Sequence, residues 1–106
     1  MKRVSTHGQG RSALISALRN REAFKTSGAL SGEKWERDTV SFHDLGELPK
    51  NDRNVFMLDH MAGIDYVVWS YGTPIGWVRK NGDVVIPDVR YSRTTSKHQG
   101  IVRVWL

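Results

Sequence analysis

The segment from Tyr91 to Gln99 holds the side chains best suited to chemistry. Its sequence, YSRTTSKHQ, carries a phenol, four hydroxyls, two permanent cations, an imidazole and an amide, and it has no aliphatic side chain to place it in a core. Such a segment can be an active site, a surface for an anionic partner, or a capped helix start. All three interpretations are open at the level of the sequence.

The catalytic interpretation centres on one imidazole. His98 would act as a general base, and Arg93 or Lys97 would stabilise a phosphate group. Tyr91 or Thr95 would position the substrate. This set would resemble the metal-independent cleavage of RNA by small basic toxins, although no carboxylate nearby in sequence is placed to orient the imidazole.

The structural interpretation needs no ligand. Thr94 or Thr95 could cap a last helix that runs through Ile101 and Val104 to Leu106. The hydroxyls would then satisfy free N–H groups of the first helical turn. Helix caps are far commoner than active sites, so this interpretation carries the most weight.

The third interpretation is anion binding at the same helix start, where free N–H groups and a positive dipole end favour a phosphate. Further cations are predicted on the preceding strands. The candidate nucleic-acid-binding residues are Arg79, Lys80, Arg90, Arg93 and Lys97. Trp69 and Trp77 could stack on bases if they pointed outward, but large rings on alternating strands more often pack in the core.

Composition supports an acidic partner. The 106 residues have a formal net charge of +5, and the two ends of the chain are basic around an acidic middle. This favours nucleic acid as a partner, with a host protein as a further possibility. The longest apolar run, Tyr66 to Trp69, is far too short for a membrane span. There is no Cys and no metal-binding spacing around His43 or His60, so we expect a cytoplasmic protein without cofactor or metal.

The elements that must position these residues are those of a small α+β domain. A helix is predicted from Ser12, one irregular strand within 26–38, and a short helix from Asp52 to Gly63. Three strands are predicted at 66–71, 75–78 and 84–86, the last two joined by a hairpin containing the Asn81-Gly82 pair. We therefore expect one antiparallel sheet of three to five strands with an N-terminal helix packed on one face. Residues 1–10 are expected to be a flexible basic arm before a single domain at 11–106.

Two motifs carry a resemblance to a known group of proteins. Ser70 to Ile75 (SYGTPI), followed some twenty residues later by Tyr91 to Gln99 (YSRTTSKHQ), resembles a family of short uncharacterised phage and plasmid proteins, chiefly actinobacterial. The resemblance covers roughly the last 40 residues. It implies a mobile-element origin, life in the cytoplasm of an infected cell, and no known activity. Residues 40–63 look like an insertion relative to shorter members.

These observations favour a small basic, non-enzymatic accessory protein that binds nucleic acid. The alternative is an inhibitor or modulator of a host protein, acting through the acidic segment 40–63. A small metal-independent ribonuclease that uses His98 is third.

Overall fold

The computed structural model describes residues 2–6 and 8–106, and it has the expected α+β architecture. Its helices are α1 (Gln9–Asn20), α2 (Lys50–Ala62) and α3 (Arg93–Trp105), with a short 3₁₀ helix at Phe42–Leu45. Its strands are β1 (Lys2–Arg3), β2 (Phe24–Lys25), β3 (Leu30–Lys34), β4 (Ile64–Ser70), β5 (Thr73–Arg79) and β6 (Val84–Val85).

The strands form one sheet in chain order, from β1 to β6. Strands β2 to β6 are antiparallel, and β1 adds a two-residue parallel pair at the β2 edge. The predicted antiparallel sheet with an N-terminal helix is therefore confirmed. The central strands β4 and β5 are buried along almost their whole length, because both faces of the sheet are covered.

One face of the sheet packs against α1 and α3. Leu14 and Leu18 of α1 meet Tyr66 and Val68 of β4 in a single core with no exposed side chain among the four. Helix α3 comes close to β5 because that strand has no side chain at Gly76: a Cβ there would lie 2.9 Å from Cγ1 of Val102. The first turns of α3 lie beside the end of β4, where Ser70 contacts Thr95 and His98.

The other face is covered by the 3₁₀ helix and α2. Trp77 is fully buried there, and its ring makes an edge-to-face contact with Phe56 at a centroid distance of 4.9 Å. Its Nε1–H donates to Oδ2 of Asp59 at 2.8 Å. Trp69 is also buried, at 8% exposure, so both tryptophans are core residues, as alternating strand rings usually are.

Several predicted boundaries were wrong. Helix α1 begins at Gln9 after an N-cap at Gly8, earlier than the predicted Ser12. The single strand predicted within 26–38 is β3 at Leu30–Lys34, whereas β2 at Phe24–Lys25 lies before that range and was not predicted. Helix α2 begins at Lys50, two residues before the predicted Asp52.

Two predicted segments have a defined place in the fold. In the expected basic arm, Lys2–Arg3 pairs with β2 and Val4 is buried, with its N–H donating to the carbonyl of Lys25. Within 40–63, Leu45 and Phe56 have no exposed surface. The flexibility of the arm and the status of 40–63 as an insertion stay predictions, but both segments contribute buried side chains.

Candidate nucleic-acid interface

The two sequence motifs meet at one place in the fold. Ser70 is the last residue of β4, and the chain reverses through Tyr71 and Gly72 into β5. Both turn residues have positive φ, 51° and 74°, as a tight type I′ hairpin requires. The start of α3 packs over this turn, which brings the second motif onto the first.

A chain of hydrogen bonds joins the motifs. Ser70 Oγ lies 2.8 Å from Nδ1 of His98 and donates to Oγ1 of Thr95 at 3.3 Å. When the Nδ1–H of His98 donates to Ser70, the lone pair of the neutral imidazole lies on Nε2. Ser70, Thr95 and His98 are all buried. The predicted candidates His98 and Thr95 are thus brought together through a serine of the first motif.

Helix α3 is capped by a residue of the second motif, but not by the predicted one. Ser92 is the N-cap, and its Oγ accepts from the backbone N–H of Thr95 at 3.3 Å. The prediction that Thr94 or Thr95 is the cap was wrong, because the helix begins at Arg93, before either threonine. Thr95 instead points inward, where its hydroxyl also accepts from Ser92 Oγ at 3.2 Å.

Two hollows flank this hydrogen-bonded chain. The first, which we call the hydroxyl hollow, has a volume of about 260 Å³. Its walls are polar and carry no carboxylate; they are formed by Ser5, Thr6, Thr26, Ser27, Gly28, Ala29, Tyr71, Thr94 and His98. The second, the Arg90 hollow, has a volume of about 430 Å³, and its lining residues include one carboxylate, Glu47, as well as Arg90, Ser70 and Ser92. The absence of a carboxylate among its lining residues makes the hydroxyl hollow the better place for a phosphate.

The environment alters two titratable groups of the second motif. Burial, with a smaller contribution from the positive charge of Lys97, lowers the pKa of His98, so its imidazole is neutral at pH 7. Burial and the negative charge of Asp52 raise the pKa of Tyr91 to about 12. The Tyr91 hydroxyl is buried and finds no hydrogen-bond partner among residues 2–6 and 8–106. Tyr91, the third catalytic candidate, is therefore not hydrogen-bonded to His98.

The five predicted cations lie in two groups. Arg79 and Lys80 are at the far end of β5 from the turn, roughly 20 Å away for a strand of this length. Arg79 is held by Asp59, with Nε 3.0 Å from Oδ1. Arg90, Arg93 and Lys97 are exposed near the turn, and within the part of the chain that the structure describes none of them forms an ion pair. Only this second group can act together with the motifs.

Tyr71 is the exposed aromatic ring of this surface. Its side chain is 62% exposed, and its ring lies 25° from parallel to that of His98 with centroids 6.5 Å apart. Arg11 Nη1 donates at 3.3 Å to the carbonyl of Thr6, which is one of the residues that line the hydroxyl hollow. We call the set formed by Tyr71, Arg90, Arg93 and Lys97 the turn surface.

Other kinds of site find no support in the described part of the chain. In residues 2–6 and 8–106, no three His, Asp or Glu side chains are grouped closely enough to hold a metal ion. No described helix combines the length and the apolar character that crossing a bilayer requires.

Comparison with known proteins gives the family. The model of a family of unknown function, DUF8033, matches residues 13–102. The chain belongs to this family. The match includes both motifs and the whole of 40–63. No curated protein and no solved structure matches the chain.

Sequence reasoning missed some of the residues that build the site. Ser70 and Tyr71 were noted as part of the first motif, and that motif was the available signal, but neither was predicted as a functional residue. The hydroxyls at Thr6, Thr26 and Ser27 carried no signal, because only the parallel addition of β1 and the β2–β3 connection bring them beside His98.

Proposed function

We propose that the turn surface binds single-stranded nucleic acid. The observation that carries the proposal is an exposed aromatic ring, Tyr71, beside three exposed cations that are free of carboxylate partners within the described residues. Single-strand-binding proteins combine these two features: cations follow the phosphates and aromatic rings stack on the bases.

The arrangement of charges supports the same proposal. Arg93 and Lys97 are four residues apart on α3, so they project from the same face of the helix. Arg90 lies just before this helix. Other arginines in the described residues already form ion pairs; Arg37, for example, lies 2.7 Å from Glu33. A paired arginine offers less positive charge to a phosphate. From the resemblance, we further propose that the protein is an accessory protein of a phage or plasmid.

The test is a titration of labelled single-stranded RNA, single-stranded DNA and duplex DNA. We expect both single strands to bind more tightly than the duplex. Tyr71→Ala should weaken single-strand binding by about 1–3 kcal/mol, roughly 5- to 150-fold, because one stacking contact is lost. Tyr71→Phe is the matched control: it keeps the ring and the unusual backbone conformation, and should bind like the parent. No binding of any strand at low salt would refute the proposal.

A second candidate function is contact with a host protein through α2. Val55, Leu58 and Met61 are exposed on this helix, with Leu58 at 65% and Met61 at 80%. They repeat every three residues, so they form one apolar stripe. If this stripe is an interface, Leu58→Glu should abolish capture of a host protein that the parent captures, whereas Asn54→Glu should not. Equal capture by both variants would exclude the stripe.

A further inference from the structure

His98 has the features of a proton acceptor rather than of a core residue alone. Its ring is 7% exposed, yet it forms part of the wall of the hydroxyl hollow. Ser70 Oγ lies 2.8 Å from Nδ1 and holds the ring in place, and when it accepts the Nδ1–H it leaves the lone pair on Nε2. A fixed imidazole with one free lone pair beside a polar hollow is the arrangement that general-base catalysis requires.

The hollow itself suits a ribose phosphate. With about 260 Å³, it is smaller than the pockets that enclose whole ligands, and it can hold one unit of a strand that crosses the surface. Hydroxyl groups such as those of Thr94 and Ser27 line it and can donate to phosphate oxygens. Lys97 is not among the lining residues, but its positive charge acts on His98 and can stabilise a phosphorane-like transition state beside it.

We propose that His98 is the general base of an RNA-cleaving site in the hydroxyl hollow, and this proposal rests on the binding of single strands by the turn surface. The inference goes beyond the non-enzymatic protein expected from the sequence. The imidazole is neutral at pH 7, because burial lowers its pKa, and it is therefore ready to accept a proton.

The reaction needs no metal or other reactant. Nε2 of His98 removes the proton of a ribose 2′-hydroxyl, and the 2′-oxygen forms a bond to the adjacent phosphorus. The bond between phosphorus and O5′ breaks, and O5′ leaves with its electron pair and takes a proton from water. The imidazolium returns its proton to the hydroxide so formed. The products are a 2′,3′-cyclic phosphate and a 5′-hydroxyl end.

Ser70 is a positioning residue in this scheme. Its Oγ lies 2.8 Å from Nδ1 of His98 and 3.3 Å from Oγ1 of Thr95, so in this scheme it accepts the Nδ1–H and acts on the substrate only through the imidazole. Ser70→Ala should lower kcat about tenfold or more and leave KM unchanged. A purely structural role would instead lower the folded fraction and leave both constants of the folded protein as they are.

The experiment uses a labelled single-stranded RNA and the same strand with 2′-O-methyl groups. We expect the parent to cleave the first strand to cyclic phosphate products and to bind the second without cleaving it. His98→Gln should reduce the cleavage rate by roughly 10²-fold or more.

The outcomes separate this inference from the function on which it rests. Binding of the 2′-O-methyl strand without cleavage of the RNA would overturn the catalytic inference and leave the binding function standing. No binding of either strand would overturn both. Equal cleavage by the parent and a folded His98→Gln would also overturn the inference. If His98→Gln does not fold, Ser70→Ala decides, and an unchanged kcat in that variant is then the refuting result.

Discussion

The buried carboxylate of Asp59 is a place where a single polar change should affect the fold strongly. Asp59 lies on α2, accepts from Nε1 of the fully buried Trp77 at 2.8 Å, and also accepts from Nε of Arg79 at 3.0 Å. It therefore connects α2 with β5 beside the core that contains Phe56 and Trp77. Asp59→Ala would leave the Trp77 N–H buried without a partner.

The size of the effect follows from these two contacts. A buried donor left without its acceptor costs about 1–3 kcal/mol. The ion pair adds less, about 1 kcal/mol at most, because the Arg79 side chain is 37% exposed and solvent screens it. The free energy of unfolding should fall by about 1–4 kcal/mol, which corresponds to a decrease in Tm of roughly 5–20 °C for a domain of this size.

The assay is thermal and urea unfolding followed by circular dichroism and tryptophan fluorescence. Asp59→Asn should lose only about 1 kcal/mol, because the amide oxygen can still accept from Trp77. Asp83→Ala is the matched control: this exposed carboxylate lies 3.9 Å from the same Arg79 and should contribute less than about 0.5 kcal/mol. An Asp59→Ala variant as stable as Asp83→Ala would refute the packing of α2 described above.

Three further predictions concern the caps, the buried imidazole and the middle segment. Ser92→Ala should lower the free energy of unfolding by about 1 kcal/mol, whereas Thr94→Ala should change it little, in parallel thermal melts. Because the folded state holds the pKa of His98 below its ordinary value of 6.5, the neutral imidazole stabilises the fold above about pH 6.5. This contribution to the free energy of unfolding should decline as the pH falls through and below that value. Unfolding measured between neutral and mildly acidic pH should show a smaller decline in His98→Gln, and an equal decline would contradict this. Deletion of residues 40–63 should prevent folding, because it uncovers the core around Trp77, and a cooperative melt of the deletion variant would be the contrary result.

The predictable part of the fold was the part with local signals. The strands around Tyr66 and Ile75 have β-rich runs, and Asn81-Gly82 indicates a reversal, so the central hairpins followed from the sequence. The short strands β1 and β2 did not, because each has two residues, exists only through pairing with a neighbour and, unlike β6, does not follow the Asn81-Gly82 pair. A two-residue strand has no periodicity that a pattern could reveal.

The site was predictable to a similar extent. The second motif identified His98 and Thr95 from their residue types, but their partner Ser70 is a contact of long sequence separation, between residues 28 apart. The division of the five cations into two groups could not be predicted either. Arg79 and Arg90 are close in sequence, but they lie near opposite ends of β5. Long-range geometry of this kind is set by packing, such as the close approach of α3 at Gly76.

The most direct test of the central claim compares two exposed lysines by their effect on the salt dependence of binding. Each phosphate contact to a single strand contributes about −0.7 to the slope of log K against log salt concentration, so contacts from Arg90, Arg93 and Lys97 predict a slope of about −2. Lys97→Ala should weaken binding and reduce the slope to about −1.4, whereas Lys80→Ala, which makes the same change in net charge at the far end of β5, should leave affinity and slope unchanged. Equal effects of the two substitutions would contradict binding at the turn surface.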